Sequence, residues 1–363
     1  MDAPAIAIAN RGAVRTIVLS RTVQHNVLDV ALTQMLLAAV PQISRDANAY
    51  AIVLRASEPG WFCAGFDLRE LARLAITDPP AAHAALDAHY ALIWMLECLS
   101  KPVVALLDGA VTAAGAGLTL VNTHRVAGAG YRFAVPGVHM GLIADAGTAF
   151  TLARLPDELG TYLALTGASI ERADAFALGL VTHCIGENDF SSIEAALADA
   201  QTVDPLLDGL HQDPGPGPLA TLRPAIAASF AGASVETIAQ RLAVQATGGA
   251  DPKLRTWAAE TLSQIERSSP IGAATTLRQL REARDADLRH CLTLDHRLAR
   301  RLIGSHDFQA AVRARLVDGD REPAWLPARV ADLAQARIDD LFRPDAALDL
   351  HPATRQEMQA ARI

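Results

Sequence analysis

Apolar residues follow two rhythms along this chain. In the first half, short unbroken or alternating apolar runs occupy residues 5–9, 14–20, 51–55 (AIVLR) and 103–107 (VVALL), each closed by small polar residues. Runs of that length and bounding read as strands, the first two as a hairpin around residues 10–12. Between them, Leu32, Met35, Leu36, Ala39, Val40 and Ile43 recur at helical spacing. That spacing predicts a helix over 30–44, with Asp29 placed to cap it. A second amphipathic helix is predicted over 81–99, and residues 60–70 read as a loop entering a helix. Further on, 115–122 reads as a short buried helix, 126–129 and 132–134 as short strands, and 146–154, 158–166 and 172–178 as helices. Alternating strand and helix predict an α/β fold with crossover connections.

The second rhythm is wholly helical. After the stretch DPGPGP at 213–218, which reads as a stiff exposed linker, helical spacing covers 235–246, 252–267, 271–285, 287–303 and 307–316. The chain therefore divides into a core at 1–212, a linker at 213–218 and a helical region at 219–363. Arginines crowd that last region (Arg278, Arg281, Arg284, Arg289, Arg297, Arg300, Arg301), interleaved with acids. This is the pattern of a solvated helical face, with ligand-phosphate binding as the alternative.

Composition narrows the class. Of 363 residues, 51% are hydrophobic and 20% charged, enough for a large core. The net charge of −8 argues against a nucleic-acid partner. Cys63, Cys98, Cys184 and Cys291 are too widely spaced for a zinc site or a disulfide framework. The segment MDAPAIAIANRG lacks the basic start and apolar centre of a secretory signal. The apolar tract 102–121 is interrupted by Asp108 and glycines and does not read as a membrane span. A cytoplasmic enzyme is the expectation.

Two loops carry candidate chemistry. WFCAGFDL at 61–68 and AVTAAGAG at 110–117 each join a strand to a helix through small residues. The first N–H groups of a helix have no internal partner. Two such groups converging on one point would hold an oxyanion. Tight helix–sheet packing would demand the same small residues, so both readings stand at this point. A nucleotide-phosphate cradle has less support, since neither GxGxxG nor GxxxxGK[ST] occurs in these loops. Asp145, among Leu142, Ile143, Ala144 and Ala146, is either a buried acid–base group or a helix cap.

Together, AGFDL (64–68), KPVVALLDGAVTAAGAGL (101–118) and FAVPGVHMGLIADAGTAF (133–150) resemble the crotonase, or enoyl-CoA hydratase/isomerase, superfamily of acyl-CoA enzymes. LPDELGTYLALTG (155–167), SSPIGAATTLRQL (268–280) and the segment 292–325 resemble its 3-hydroxyisobutyryl-CoA hydrolase branch. The resemblance implies a crotonase-like ββα spiral core followed by a helical C-terminal region. It also implies an acyl-CoA substrate, of which CoA is itself a part, no metal or redox cofactor, and a possible trimer or hexamer.

The resemblance places the thioester carbonyl between the backbone N–H groups of Phe66 and Ala114. Both positions usually carry smaller residues. Asn26, Ala64, Gly65 and Asp67 fall on segments that grip CoA, largely through backbone, although Asp67 also reads as a helix cap. Of the hydrolase branch's two carboxylates, one is present as Asp145. The other, a Glu, is replaced by Gly137, and the extra Glu of the hydratases is replaced by Gly117. His139, two residues beyond Gly137, is a candidate stand-in. His89 and Tyr90 lie where related hydrolases tend to carry an acid followed by Tyr. Three functions follow: a thioester hydrolase using Asp145, a different one-carboxylate reaction such as isomerisation or decarboxylation, or an acyl-CoA binder without turnover.

Overall fold

Chain order alternates between two sheets, and this alternation creates the site. The structure, a computed structural model, describes residues 5–319, 321–346 and 349–363. The first four residues of the N-terminal segment read above lie outside the described residues. The hairpin β1 (Ile6–Arg11) and β2 (Val14–Leu19) leads to α1 (Val30–Arg45), capped by Asp29 through the Leu32 N–H. Then come β3 (Ala51–Ala56), β4 (Gly60–Cys63), α2 (Leu68–Thr77) and α3 (Pro79–Cys98). They are followed by β5 (Val103–Leu107), β6 (Gly109–Thr112), α4 (Ala114–Leu120), β7 (His124–Ala127) and β8 (Arg132–Ala134).

The pairs β3–β4, β5–β6 and β7–β8 each place their first strand in one sheet and their second in another. The larger sheet runs β1-β2-β3-β5-β7 and ends on a short strand β10 (His183–Cys184); apart from the hairpin it is parallel. The smaller sheet runs β4-β6-β8 in parallel and closes on a short antiparallel strand β9 (Ile170–Glu171). This is the expected ββα spiral. Strands β4 and β6 lie where the sequence predicts loop; each has only four residues and carries a glycine. Gly109 makes the step between sheets at φ +143°, with its α-carbon so close to Gly60 that a Cβ would lie 2.6 Å from the Gly60 carbonyl carbon. Only glycine fits there.

The larger sheet is apolar on both faces, which explains its unbroken runs. Ile52, Leu54, Val103, Ala105 and Leu107 point toward α1, while Val53, Val104 and Leu106 point toward α8 (Phe190–Ala198) and α9 (Val203–Leu210). Between β8 and β9 lie α5 (Thr148–Leu152) and α6 (Leu159–Thr166); α7 (Arg172–Ala177) follows β9. The proline-rich stretch 213–218 forms neither helix nor strand, and its end is pinned: the Leu219 N–H donates to Asp174 at 3.0 Å.

Beyond it stand α10 (Leu219–Phe230), α11 (Val235–Gly248), α12 (Pro252–Glu266), α13 (Pro270–Ala283), α14 (Leu288–Leu302) and α15 (His306–Ala311). These helices do not stand apart from the spiral. One apolar cluster joins Ile6, Phe133 and Leu163 to Phe230, Leu277 and Cys291. A second joins Phe66, Tyr90, Ala114 and Ile143 to Leu292, Leu298 and Phe308. The candidate site lies against this second cluster, between spiral and helical layer. Among the described residues, no helix is long and apolar enough to cross a membrane.

Candidate active site

The first wall of the site is backbone. At the end of β4, the Leu28 N–H donates to the Gly65 carbonyl (2.7 Å) and the Asp67 N–H donates to the Leu28 carbonyl (3.1 Å). Consecutive N–H groups of an extended chain point to opposite sides. With Asp67 turned toward Leu28, the N–H of Phe66 therefore points the other way, and no acceptor for it occurs among the described residues. The strand is held in this register by Asn26, fully buried, whose Nδ2 donates to the carbonyls of Trp61 and Phe62, both at 3.1 Å.

Across from Phe66, α4 begins at Ala114, and the N–H of this first helical residue has no acceptor among the described residues either. Ala113 sets its direction from φ +49°, ψ −128°, a strained conformation for a residue with a side chain. The two loops touch: a Cβ added to Gly65 would sit 3.0 Å from the Ala114 nitrogen. Gly115 packs so tightly on Cys63 that a Cβ there would lie 2.6 Å from its carbonyl oxygen. The two readings of these small residues are thus compatible. The glycines pack the loops together, and the packing leaves two N–H groups unpaired side by side.

Asp145 forms the opposite wall. It is 8% exposed, and its Oδ1 accepts from the Tyr90 hydroxyl and from the Ala146 N–H (2.6 Å). Burial pushes its pKa up to about 6, against the pull of those two donors. Its carboxylate caps no helix; the following helix α5 has Gly147 at its N-cap, and Asp145 contributes only its carbonyl, to Thr148. One cavity of about 90 Å³ is lined by Ala64, Phe66, Ala114, Gly137 and Asp145 together. Among the described residues three roomier clefts lie elsewhere: about 310 Å³ at Arg278 and Arg281, about 380 Å³ at Arg55 and Glu194, and about 250 Å³ at Arg289, whose guanidinium donates to the Pro352 carbonyl. The arginines of the first two are ion-paired, Arg278 with Asp339, Arg281 with Glu158 and Arg55 with Glu194, so the smaller cavity better fits the expected chemistry.

The replaced carboxylate positions are filled by backbone. A Cβ on Gly137 would lie 1.9 Å from the Ile143 carbonyl oxygen, and one on Gly117 would lie 2.4 Å from that of Ala146. Both oxygens belong to the segment that carries Asp145. A side chain at either position requires that segment to move.

Four expected site residues stand outside the cavity lining: Asn26, Gly65, Asp67 and His139. Asn26 commits its Nδ2 to the clamp on Trp61 and Phe62, while its buried Oδ1 has no partner among the described residues. Asp67 caps α2 through the Glu70 N–H. His139 sits on the helical turn Gly137–Met140, with its Nε2 2.8 Å from the Thr166 carbonyl and burial lowering its pKa. Gly65 shapes the loop at φ +91° and does not line the cavity. His89 is fully buried with its ring 4.1 Å from that of Phe66; neither nitrogen has a partner among the described residues, and burial lowers its pKa to about 3. It is a neutral support behind Phe66.

Three further residues behind Asp145 have no role that the sequence assigns: Tyr90, Gln279 and Asp295. Gln279 Nε2 donates to the Ala144 carbonyl (2.8 Å), and Asp295 accepts from Gln279 (2.6 Å) and from the Gly147 N–H (2.9 Å). The signal available for the last two is a polar residue inside an apolar helical stripe: Gln279 between Leu277 and Leu280, and Asp295 between Leu294 and Leu298.

The sequence model described as enoyl-CoA hydratase/isomerase matches residues 14–342. A relative from Arabidopsis thaliana, "3-hydroxyisobutyryl-CoA hydrolase-like protein 1, mitochondrial", is 31% identical over 93% of this chain and 86% of its own length. A relative from Neurospora crassa, "Small ribosomal subunit protein mS47", is 28% identical over 91% of this chain and 70% of its own. Among solved structures, an enoyl-CoA hydratase from Rhodobacter sphaeroides 2.4.1 aligns with a TM-score of 0.88 at 29% identity, covering 96% of this chain and 100% of that one. The cytoplasmic expectation is corrected by these findings, since the Arabidopsis relative and several others of similar identity are named as mitochondrial. It rested on the lack of a secretory signal, which does not separate cytoplasm from mitochondria.

Proposed function

Given that the chain belongs to the enoyl-CoA hydratase/isomerase family, we propose that it hydrolyses short 3-hydroxyacyl-CoA thioesters with Asp145 as its acid–base residue. In this reading, water attacks the thioester carbonyl carbon while Asp145 takes its proton. A C–O bond forms, and the electron pair of the carbonyl moves onto oxygen, where the N–H groups of Phe66 and Ala114 receive it. Collapse restores the carbonyl and breaks the C–S bond. The proton passes from Asp145 to the departing sulfur, giving the free acid and the CoA thiol. CoA enters as part of the substrate, and the scheme calls for no other group.

The observation that supports this reading is the pairing of walls: Phe66 and Ala114, whose N–H groups are unpaired among the described residues, and Asp145, whose carboxyl is buried, line one small cavity. A carboxyl with pKa near 6 is suited to moving protons near neutral pH. Hydration of an enoyl-CoA by two carboxylates fits poorly, because Gly137 and Gly117 are closed off by backbone. The relatives named as 3-hydroxyisobutyryl-CoA hydrolases support the choice of acyl class. The test is release of free CoA from a panel of short acyl-CoAs, with product mass determined. A product of unchanged mass indicates isomerisation instead. No turnover of any thioester would sink the proposal.

A second reading, an acyl-CoA binder without turnover, is favoured by the Neurospora relative, whose name is that of a ribosomal component. CoA binding measured by calorimetry, with no chemistry on any thioester in the panel, distinguishes it from the first.

A further inference from the structure

Asp295 is a buried acid that the reaction above does not use. It is fully buried on α14, and no cation among the described residues pairs with it; burial first, and Asp145 next, raise its pKa well above the usual range. An unpaired carboxyl in a dry interior is costly to keep, and an apolar residue of similar size would be tolerated better.

The reason for keeping it lies in what it accepts. Its Oδ2 takes the Gly147 N–H and its Oδ1 takes Gln279 Nε2, while the same Nε2 donates onward to the Ala144 carbonyl. Asp145 is therefore bracketed. The residue before it is held by its carbonyl, and the residue two after it by its N–H. Between these two holds the backbone runs through Ala146 at φ +62° and Gly147 at φ +79°. The left-handed conformation at Ala146 is strained for a residue with a Cβ and persists only where its surroundings impose it. An Asn at 295 has one acceptor oxygen and one NH₂ group. Whichever way it faced, that NH₂ would oppose either the Gly147 N–H or the Gln279 NH₂.

We propose that Asp295 and Gln279 are positioning residues that hold Ala144–Gly147 in its strained turn and so aim the Asp145 carboxyl into the cavity, making α13 and α14 part of the active site. This rests on the reading of Asp145 as the acid–base residue. Tyr90 from α3, Asp145 itself and Cys291 from α14 are the other titratable groups facing Asp295.

The experiment compares wild type with Asp295→Asn and Gln279→Met, using steady-state kinetics, thermal melting and amide hydrogen exchange in the full chain. Asp295→Asn is expected to lower kcat by about 10²-fold with KM within about threefold, because misplacing the carboxyl leaves substrate binding intact. Exchange at Gly147 is expected to accelerate while strands β3 and β5 stay protected. Gln279→Met should act in the same direction more weakly, and serves if Asp295→Asn does not fold. A lower melting temperature with unchanged kcat would reduce the pair to ordinary core residues and overturn the proposal. Should wild type release CoA from no thioester, the functional reading fails separately. Gly147 exchange then decides the clamp alone: acceleration in Asp295→Asn supports it, and no change overturns it.

Discussion

The two walls of the cavity are built in opposite ways. The wall at Phe66 and Ala114 is made of backbone, fixed within the spiral by Asn26 and Leu28 and by glycines that let β4 and α4 touch. The wall at Asp145 is made of one side chain, held by partners far away: Tyr90 lies 55 residues off, Gln279 135 residues from Ala144, and Asp295 148 residues from Gly147. Backbone N–H groups survive substitution, so the first wall tolerates an unusual Phe66. A side-chain carboxyl has no such tolerance, and everything that orients it must be kept.

Breaking the second wall should therefore hurt most. Asp145→Asn is expected to lower kcat by about 10² to 10⁴, the range for a positioned acid–base group, with KM for the thioester little changed. Free-CoA release measures it directly, and a loss under twofold would remove Asp145 from the chemistry. Next in size is a displaced pH profile. In the proposed reaction Asp145 works as the carboxylate, so kcat/KM should fall below pH 6 as it protonates. The Tyr90 hydroxyl lowers that pKa by donating to the anion. Tyr90→Phe should consequently move the acidic limb upward by on the order of one unit; a limb that stays in place would show that Tyr90 does not set it.

The first wall should give way more gently. Phe66→Ala keeps the N–H while removing a ring that rests on His89, so turnover of the shortest substrate should stay within about tenfold, while longer acyl chains gain from the added room. Comparing kcat/KM across chain lengths checks this, and an equal loss for every substrate would mean that the ring serves the oxyanion side itself. The smallest effect is expected at His139, bonded to Thr166 outside the cavity. His139→Gln should change kcat/KM by less than about twofold, since a group that touches no reacting atom adds little to transition-state binding. A tenfold loss would return this histidine to the site.

The same contrast decides what could be read in advance. Phe66, Ala114, Gly137 and Asp145 were legible because each lies within a short contiguous motif, and the motif is the local geometry. The spiral was legible too, through the apolar runs at β3 and β5, although β4 and β6 were too short and glycine-containing to declare themselves. The clamp behind Asp145 was not legible. Tyr90 sits on a helix buried on most of its faces, where periodicity marks no functional side. Gln279 and Asp295 gain meaning only when α13 and α14 are laid against the Ala144–Gly147 turn. Where His139 points could not be read from sequence, because a residue two places on shares a face with Gly137 only in an extended chain, and the segment is a helical turn.

The two carbonyl oxygens facing Gly137 and Gly117 bear on what this chain can become. Conversion to a two-carboxylate catalyst is not a matter of supplying missing acids one at a time. Either substitution alone meets the peptide that carries Asp145, so the first step would damage the existing activity before any new one could arise. A path from this sequence to that chemistry must begin by re-routing residues 143–147, and the helices behind them with it.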